Sequence, residues 1–288
     1  MKFSASLIIT TYVLLAGYGT QHAWAQAPSF PTPRSYTTIE PGHLPIILSA
    51  PHGGRDSIPG VDARLGNNVR MFKTQTDMRS GQLAQRLADA LEKQLGKRPY
   101  VIIARFHRKY LDANRPQELA YESSNAKPVY DAYHRAIAEA RDDVVDRWGQ
   151  GILLDIHGQA NNATAIYRGT QNGKTTTHLI GRFGRESLIG RTSLFGQLAN
   201  QGLSVIPDVG VADREHSSYD GGYIVNTYGS RAGGTVDAIQ LELGNDLRSS
   251  QNLSSTASKV ATAITAFASD YLPKSPRDVG TKQDAGQP

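Results

Sequence analysis

The chain contains no cysteine among its 288 residues. Disulfides are therefore excluded, as is the lipid-bearing cysteine of a lipoprotein, and stability has to come from an ordinary core helped by a metal. Long apolar runs are also missing. The longest candidate, "SLIITTYVLLAGY" at 6–18, is too short to span a bilayer as a stable helix. There is no basic run, no interleaving of aromatic and basic residues and no nucleic-acid motif, so nucleic acid is not an expected partner. The formal net charge of +5 is modest and the arginines are scattered, which suits small anionic substrates or an anionic envelope. No internal repeat and no histidine-rich tract is present.

The residues present divide the chain into four parts. Residues 1–25 read as a secretory signal: Lys2 opens it, the apolar stretch follows, and Ala23 and Ala25 in "AWA" supply the small residues that a signal peptidase prefers. Export, most simply to a periplasm, is expected, with no stable membrane anchor after cleavage. Residues 26–42 are Pro-rich and polar and read as a tether, 43–273 as one domain, and 274–288 as a disordered tail. Within the domain, "LPIILSA" (44–50), "YVIIAR" (100–105), "GILLDIH" (151–157), "ATAIYRG" (163–169), "LSVIP" (203–207) and "VDAIQLELG" (236–244) read as strands. Leu83, Leu87, Leu91 and Leu95 recur every four residues in a helix expected from Asp77. A second helix is expected over 129–148 and a closing one from Leu253 to Tyr271, with a short helix in "SLFGQLANQG". Residues 169–191 read as loops and the Gly-rich 219–234 as a flap able to close over a site. Alternating strands and helices predict an α/β fold of three layers, a mostly parallel mixed sheet with helices on both faces.

Two of the eight histidines stand out. His52 and His157 each follow an apolar strand and precede small residues, so both are expected at the carboxyl edge of a parallel sheet, where ligands bind. A shared metal is the expectation. Its third ligand should be a carboxylate, since catalytic zinc takes three protein ligands and keeps a position open for water. Asp77, near a helix start, is the preferred acid, with Asp56 on the His52 loop as the competitor. Asp155 alternates with His157 and is placed to orient a histidine. Glu242 is a lone acid inside an apolar strand. Burying it is costly unless it is paired or working, and a general base is the expected role. Arg108 and Arg115, with Asn114, suit a carboxylate. Asp112 between them suits a structural ion pair.

Taken together, "APHGG", "TDMRSGQLAQRL", "RKYLDANR", "LLDIHGQ", "DGGYI" and "IQLELG" resemble, in order over about 44–270, the N-formylglutamate amidohydrolase family, whose fold is like that of the zinc carboxypeptidases. The resemblance implies a zinc exopeptidase-like (phosphorylase/hydrolase-like) fold and one zinc ion on His52, Asp77 and His157. It also implies Glu242 as catalytic carboxylate, Arg108 beside a developing oxyanion, and Arg115 with Asn114 on a substrate carboxylate. "SAPHGGRDSIPG" is also similar to the opening of the zinc N-acetylmuramoyl-L-alanine amidases, which makes a cell-wall hydrolase the alternative. The implied activity is hydrolysis of an amide or formamide bond in a small N-acyl amino acid or peptide-like substrate. A non-catalytic periplasmic zinc or solute-binding protein is the alternative of another class.

Overall fold

The computed structural model describes residues 32–277, apart from 68, 70 and 211–213. The expected leader and the end of the expected tail, 278–288, lie outside the described residues. Seven strands form one sheet: β1 (Thr37–Glu40), β2 (Ile46–Ala50), β3 (Tyr100–Ala104), β4 (Gly151–Gly158), β5 (Ala165–Gly169), β6 (Ser204–Ile206) and β7 (Val236–Leu243). The helices are α1 (Ser80–Leu95), α2 (Gln117–Ala120), α3 (Lys127–Trp148), α4 (Thr177–Phe183), α5 (Glu186–Ile189), α6 (Leu194–Asn200), α7 (Tyr223–Tyr228) and α8 (Leu253–Tyr271). The strand order is β1-β3-β2-β4-β7-β5-β6. β3, β2, β4 and β7 run parallel, β1 and β5 run antiparallel to β3 and β7, and β6 is parallel to β5. The predicted mostly parallel α/β sheet is what the structure contains.

β2, β3 and β4 are apolar runs because both of their faces are covered. Side chains alternate across the sheet. Ile46, Leu48, Ile152, Leu154, Ile156, Ile239 and Leu241 pack with Leu83 and Leu87 of α1 and with Val260, Ile264 and Phe267 of α8. Ile47, Ile102, Leu153 and Ala238 pack on the other side with Tyr133 and Ile137 of α3 and Val225 of α7. From β2 the chain crosses through α1 to β3 on one side, then through α3 to β4 on the other. That reversal opens a crevice at the carboxyl ends of β2 and β4, where such sheets bind ligands.

Several expectations change. The tether predicted for 26–42 already belongs to the fold from Pro33. Pro33–Tyr36 form a 3-10 turn, and the β-branched Thr37, Thr38 and Ile39 add an edge strand to β3. The loops predicted for 169–191 contain α4 and α5, each too short to show a helical period. The flap predicted for 219–234 contains α7, whose Ile224 and Val225 are fully buried. That part of the predicted flap is anchored in the core, while Tyr219, Asp220, Gly221 and Gly222 line the cleft. α1 begins at Ser80, three residues after Asp77, and stops at Gly96, whose φ of 70° favours glycine.

Candidate metal site

β2 delivers His52 two residues past its end, β4 carries His157, and the loop before α1 brings Asp77 between them. His52 Nδ1 and His157 Nδ1 are 3.2 Å apart. Asp77 Oδ2 lies 3.3 Å from the first and 3.1 Å from the second. Tetrahedral zinc with bonds of about 2.0–2.1 Å would space its donors about 3.3–3.4 Å apart. The three edges match one face of such a tetrahedron. Asp56, the competing acid, is half-exposed and pairs with Arg105 at 3.2 Å, so Asp77 is the carboxylate that joins the histidines.

The second nitrogen of each imidazole tests whether a cation fits. His52 Nε2 faces Asp112 Oδ1 at 2.7 Å and His157 Nε2 faces Asp155 Oδ2 at 2.8 Å. With a cation at the Nδ1 atoms, each carboxylate would take the N–H of its ring and turn a lone pair on each Nδ1 toward the ion. Two Nδ1 atoms and a carboxylate oxygen converge, a cluster that needs a shared positive charge, a proton or a metal ion, among its members. The surrounding field favours such a charge. Burial alone would lower the pKa of His157, but Asp155, Asp77 and Glu242 hold it well above the ordinary histidine value. Burial alone would raise that of Asp77, but its hydrogen bonds to His157 and His52 hold it well below the ordinary carboxylate range. The donor set fits a divalent cation such as zinc.

Support for the ligands comes from polar residues deep in the sheet. Ser49 lies opposite Asp155 in the β2–β4 pairing and donates to it. The Tyr133 hydroxyl from α3 meets Ser49 at 3.3 Å. Asp112, expected to pair with an arginine, does so: Arg108 Nε donates to it at 2.9 Å and Arg108 also approaches through its terminal nitrogen at 2.8 Å. It orients His52 as well, a role the sequence reading missed. Burial opposes its ionisation, but His52, Arg108 and Arg64 keep it charged. Ser49 carried a signal in sequence, a hydroxyl in the apolar run "IILSA"; the pairing of Asp112 with a histidine 60 residues earlier carried none.

Glu242 sits beside His157 in the β4–β7 register. Gln240, two residues earlier on the same face, donates to Glu242 Oε1 at 2.8 Å, while its own oxygen accepts from Gly222 N at 2.8 Å and Asn114 at 3.4 Å. Burial pushes the pKa of Glu242 up to about 7, with the charge on His157 pulling it back and that on Asp77 adding to it.

His52, Asp77, His157 and Glu242 line a cleft of about 820 Å³, together with Arg108, Asn114 and Arg115. Arg115 is partly exposed, donates to Met71 O at 3.2 Å, and stands 3.9 Å from Asp112. Arg108 directs its other terminal nitrogen toward Asp77 at 3.9 Å. The Asn114 amide is engaged at both ends, accepting from Ile224 N at 2.8 Å and lying 3.3 Å from His157 Nε2. Four non-glycine residues among those described have positive φ. Met71 and Gln171 are on the cleft wall, and Arg79 and Asn172 adjoin it. Backbone strain of this kind concentrates where a protein shapes a binding surface.

No family model matches the chain, and no curated protein matches it. Solved structures do. An N-formylglutamate amidohydrolase from Ralstonia eutropha superposes with a TM-score of 0.55 at 16% identity, covering 80% of this chain and 96% of that one. A gene product of Agrobacterium tumefaciens gives 0.54 at 13% identity, covering 82% and 96%. An N-acetylmuramyl-L-alanine amidase from Mycobacterium smegmatis gives only 0.33 at 13% identity, covering 78% and 97%, too loose a match to bear on the fold. The first two similarities, at their low identities, establish that this chain shares the α/β fold of an N-formylglutamate amidohydrolase structure.

Proposed function

We propose that the protein is an exported, metal-dependent amidohydrolase that cleaves the amide or formamide bond of a carboxylate-bearing substrate. The observation that carries this is the convergence of His52 Nδ1, His157 Nδ1 and Asp77 Oδ2 at 3.1–3.3 Å beside the buried acid Glu242. A zinc ion held by those three residues would supply the Lewis acidity that polarises a carbonyl and acidifies water toward neutral pH. Glu242, with one oxygen fixed by Gln240, takes a proton from the attacking water and returns it to the leaving nitrogen. Water adds to the carbonyl carbon, the C–N bond breaks, and a carboxylate and an amine leave. Arg108, held by Asp112 at the cleft wall, faces the oxygen that gains charge; such a donor is worth about 3–4 kcal/mol in the transition state. Arg115, whose charge is only loosely met by Asp112, takes the substrate carboxylate. Asn114 holds α7 and reaches toward His157, shaping that end of the cleft.

A cleft of about 820 Å³ exceeds what one N-acyl amino acid fills, which favours a second reading with peptide-like or cell-wall substrates. The test is to load the mature protein with zinc, incubate it with N-formyl and N-acetyl amino acids, small peptides and muropeptides, and weigh the products. A free amine and a carboxylate from the small acyl amino acids support the first reading, and cleavage of muropeptides alone supports the second. Stoichiometric zinc binding without any hydrolysis, unaltered in Glu242→Gln, would make the protein a carrier.

A further inference from the structure

Arg248 attracted no attention in the sequence, where it sits in an ordinary turn before α8. In the fold it is 3% exposed and lines the cleft. Its guanidinium donates to Met78 O, to Leu243 O at 3.1 Å, to Gln159 O at 3.4 Å and to Asn245 Oδ1 at 2.8 Å. Every one of these acceptors is neutral. Arg108, by contrast, has its charge met directly by Asp112.

The three carbonyls belong to three different segments. Met78 follows the ligand Asp77, Leu243 follows Glu242, and Gln159 lies two residues beyond the ligand His157. One side chain therefore ties together the backbone beside two metal ligands and the proposed base. Gly158 makes room for it, since a Cβ there would run into the guanidinium. Arginine suits the place because its planar fork presents five donors at once, whereas an ammonium is a compact point. Burial lowers the pKa of this guanidinium, and the nearby carboxylates of Asp77 and Glu242 only partly offset it.

We infer that Arg248 is a positioning residue that sets the spacing of the Asp77, His157 and Glu242 segments and so fixes the geometry offered to the metal. This rests on the metal-dependent reading above. In this role Arg248 acts through the backbone beside Asp77, His157 and Glu242, to which its guanidinium donates.

The experiment measures zinc affinity by competition with a chromophoric chelator, and the visible spectrum of the cobalt-loaded protein, for wild type, Arg248→Met and Arg248→Lys. Met keeps the stem without the donors, and Lys keeps the charge without the fork. Both variants are expected to weaken metal binding by about 10–100-fold, the range for groups that orient ligands. Both should alter the cobalt spectrum, and kcat should fall while KM changes little. Should Arg248→Met fail to fold, Arg248→Lys decides on the same readouts. A folded variant with wild-type affinity and spectrum overturns the inference alone. A wild-type protein that binds no metal overturns the metal reading and this inference with it.

Discussion

The two faces of the sheet do different work. Toward α1 and α8 the carboxyl halves of the strands are apolar, with Leu48 and Ala50 on β2, Leu154 and Ile156 on β4, and Leu241 and Leu243 on β7. Toward α3 and α7 they begin apolar, with Ile47, Leu153 and Ala238, and then change to Ser49, Asp155, His157, Gln240 and Glu242. Each of those polar groups is buried, and each has a partner: Ser49 with Asp155, Asp155 with His157, Gln240 with Glu242. Burying charge is costly unless it is met by hydrogen bonds and opposite charge. The lesson is a division of labour across one layer of backbone. One face holds the fold together, and the upper half of the other carries the proposed metal site.

If that division is real, substitutions on the two faces should fail in different ways. The largest effect is expected from His157→Ala, which removes a ligand from the polar face. It should abolish both stoichiometric zinc, read by elemental analysis, and hydrolysis; full retention of the ion would break the assignment. Next comes Glu242→Gln, which should keep the metal and lose about 10²–10⁴ of turnover, the usual worth of a positioned acid–base group. Near-normal turnover would remove Glu242 from the reaction. Asp155→Asn should be milder still, with metal affinity falling about 10–100-fold in a chelator competition as His157 loses its orienting acid. Leu87→Ala on the apolar side should cost about 2–5 kcal/mol in denaturant unfolding and leave metal affinity untouched. A Leu87 variant that lost metal while still folded would show that the faces are not separable.

The smallest effect is one of pH. Glu242 has its pKa raised by burial from 4.5 to about 7. A folded pKa above the unfolded one means that its contribution to stability is complete below about 4.5 and is lost as pH climbs through about 7. Thermal melts of the chelated protein should therefore drop over that window, and the drop should shrink in Glu242→Gln. A divalent cation favours the ionised form, so with metal bound the acid limb of the rate profile should lie below 7.

Much of this was legible because strands buried on both faces are continuous apolar runs, so a polar residue near the end of one stands out. His52, His157, Asp155 and Glu242 all announced themselves in that way. Asp77 did so less clearly, since its rival Asp56 is nearer in sequence to His52, and only the folded loop before α1 separates them. Other features had no local signature. The contact of Asp112 with His52 joins loops 60 residues apart, and the bonds of Arg248 to Met78 and Gln159 span 170 and 89 residues. Helices of one or two turns such as α5 and α7 are too short for periodicity to reveal, and the prolines before Thr37 concealed a strand that gains its partner only from β3.

The pairing of β4 with β7 puts His157 level with Glu242 and Asp155 level with Gln240. Side chains alternate with a period of two, so a slip of one residue in β4 would turn His157 toward the leucines of α1. A mispaired sheet could still collapse around its apolar core, but it would have no place for the ion. If the proposed site holds zinc, its stoichiometry after refolding should count the molecules whose strands have found their correct alignment, which a measure of compactness or helix content would not do.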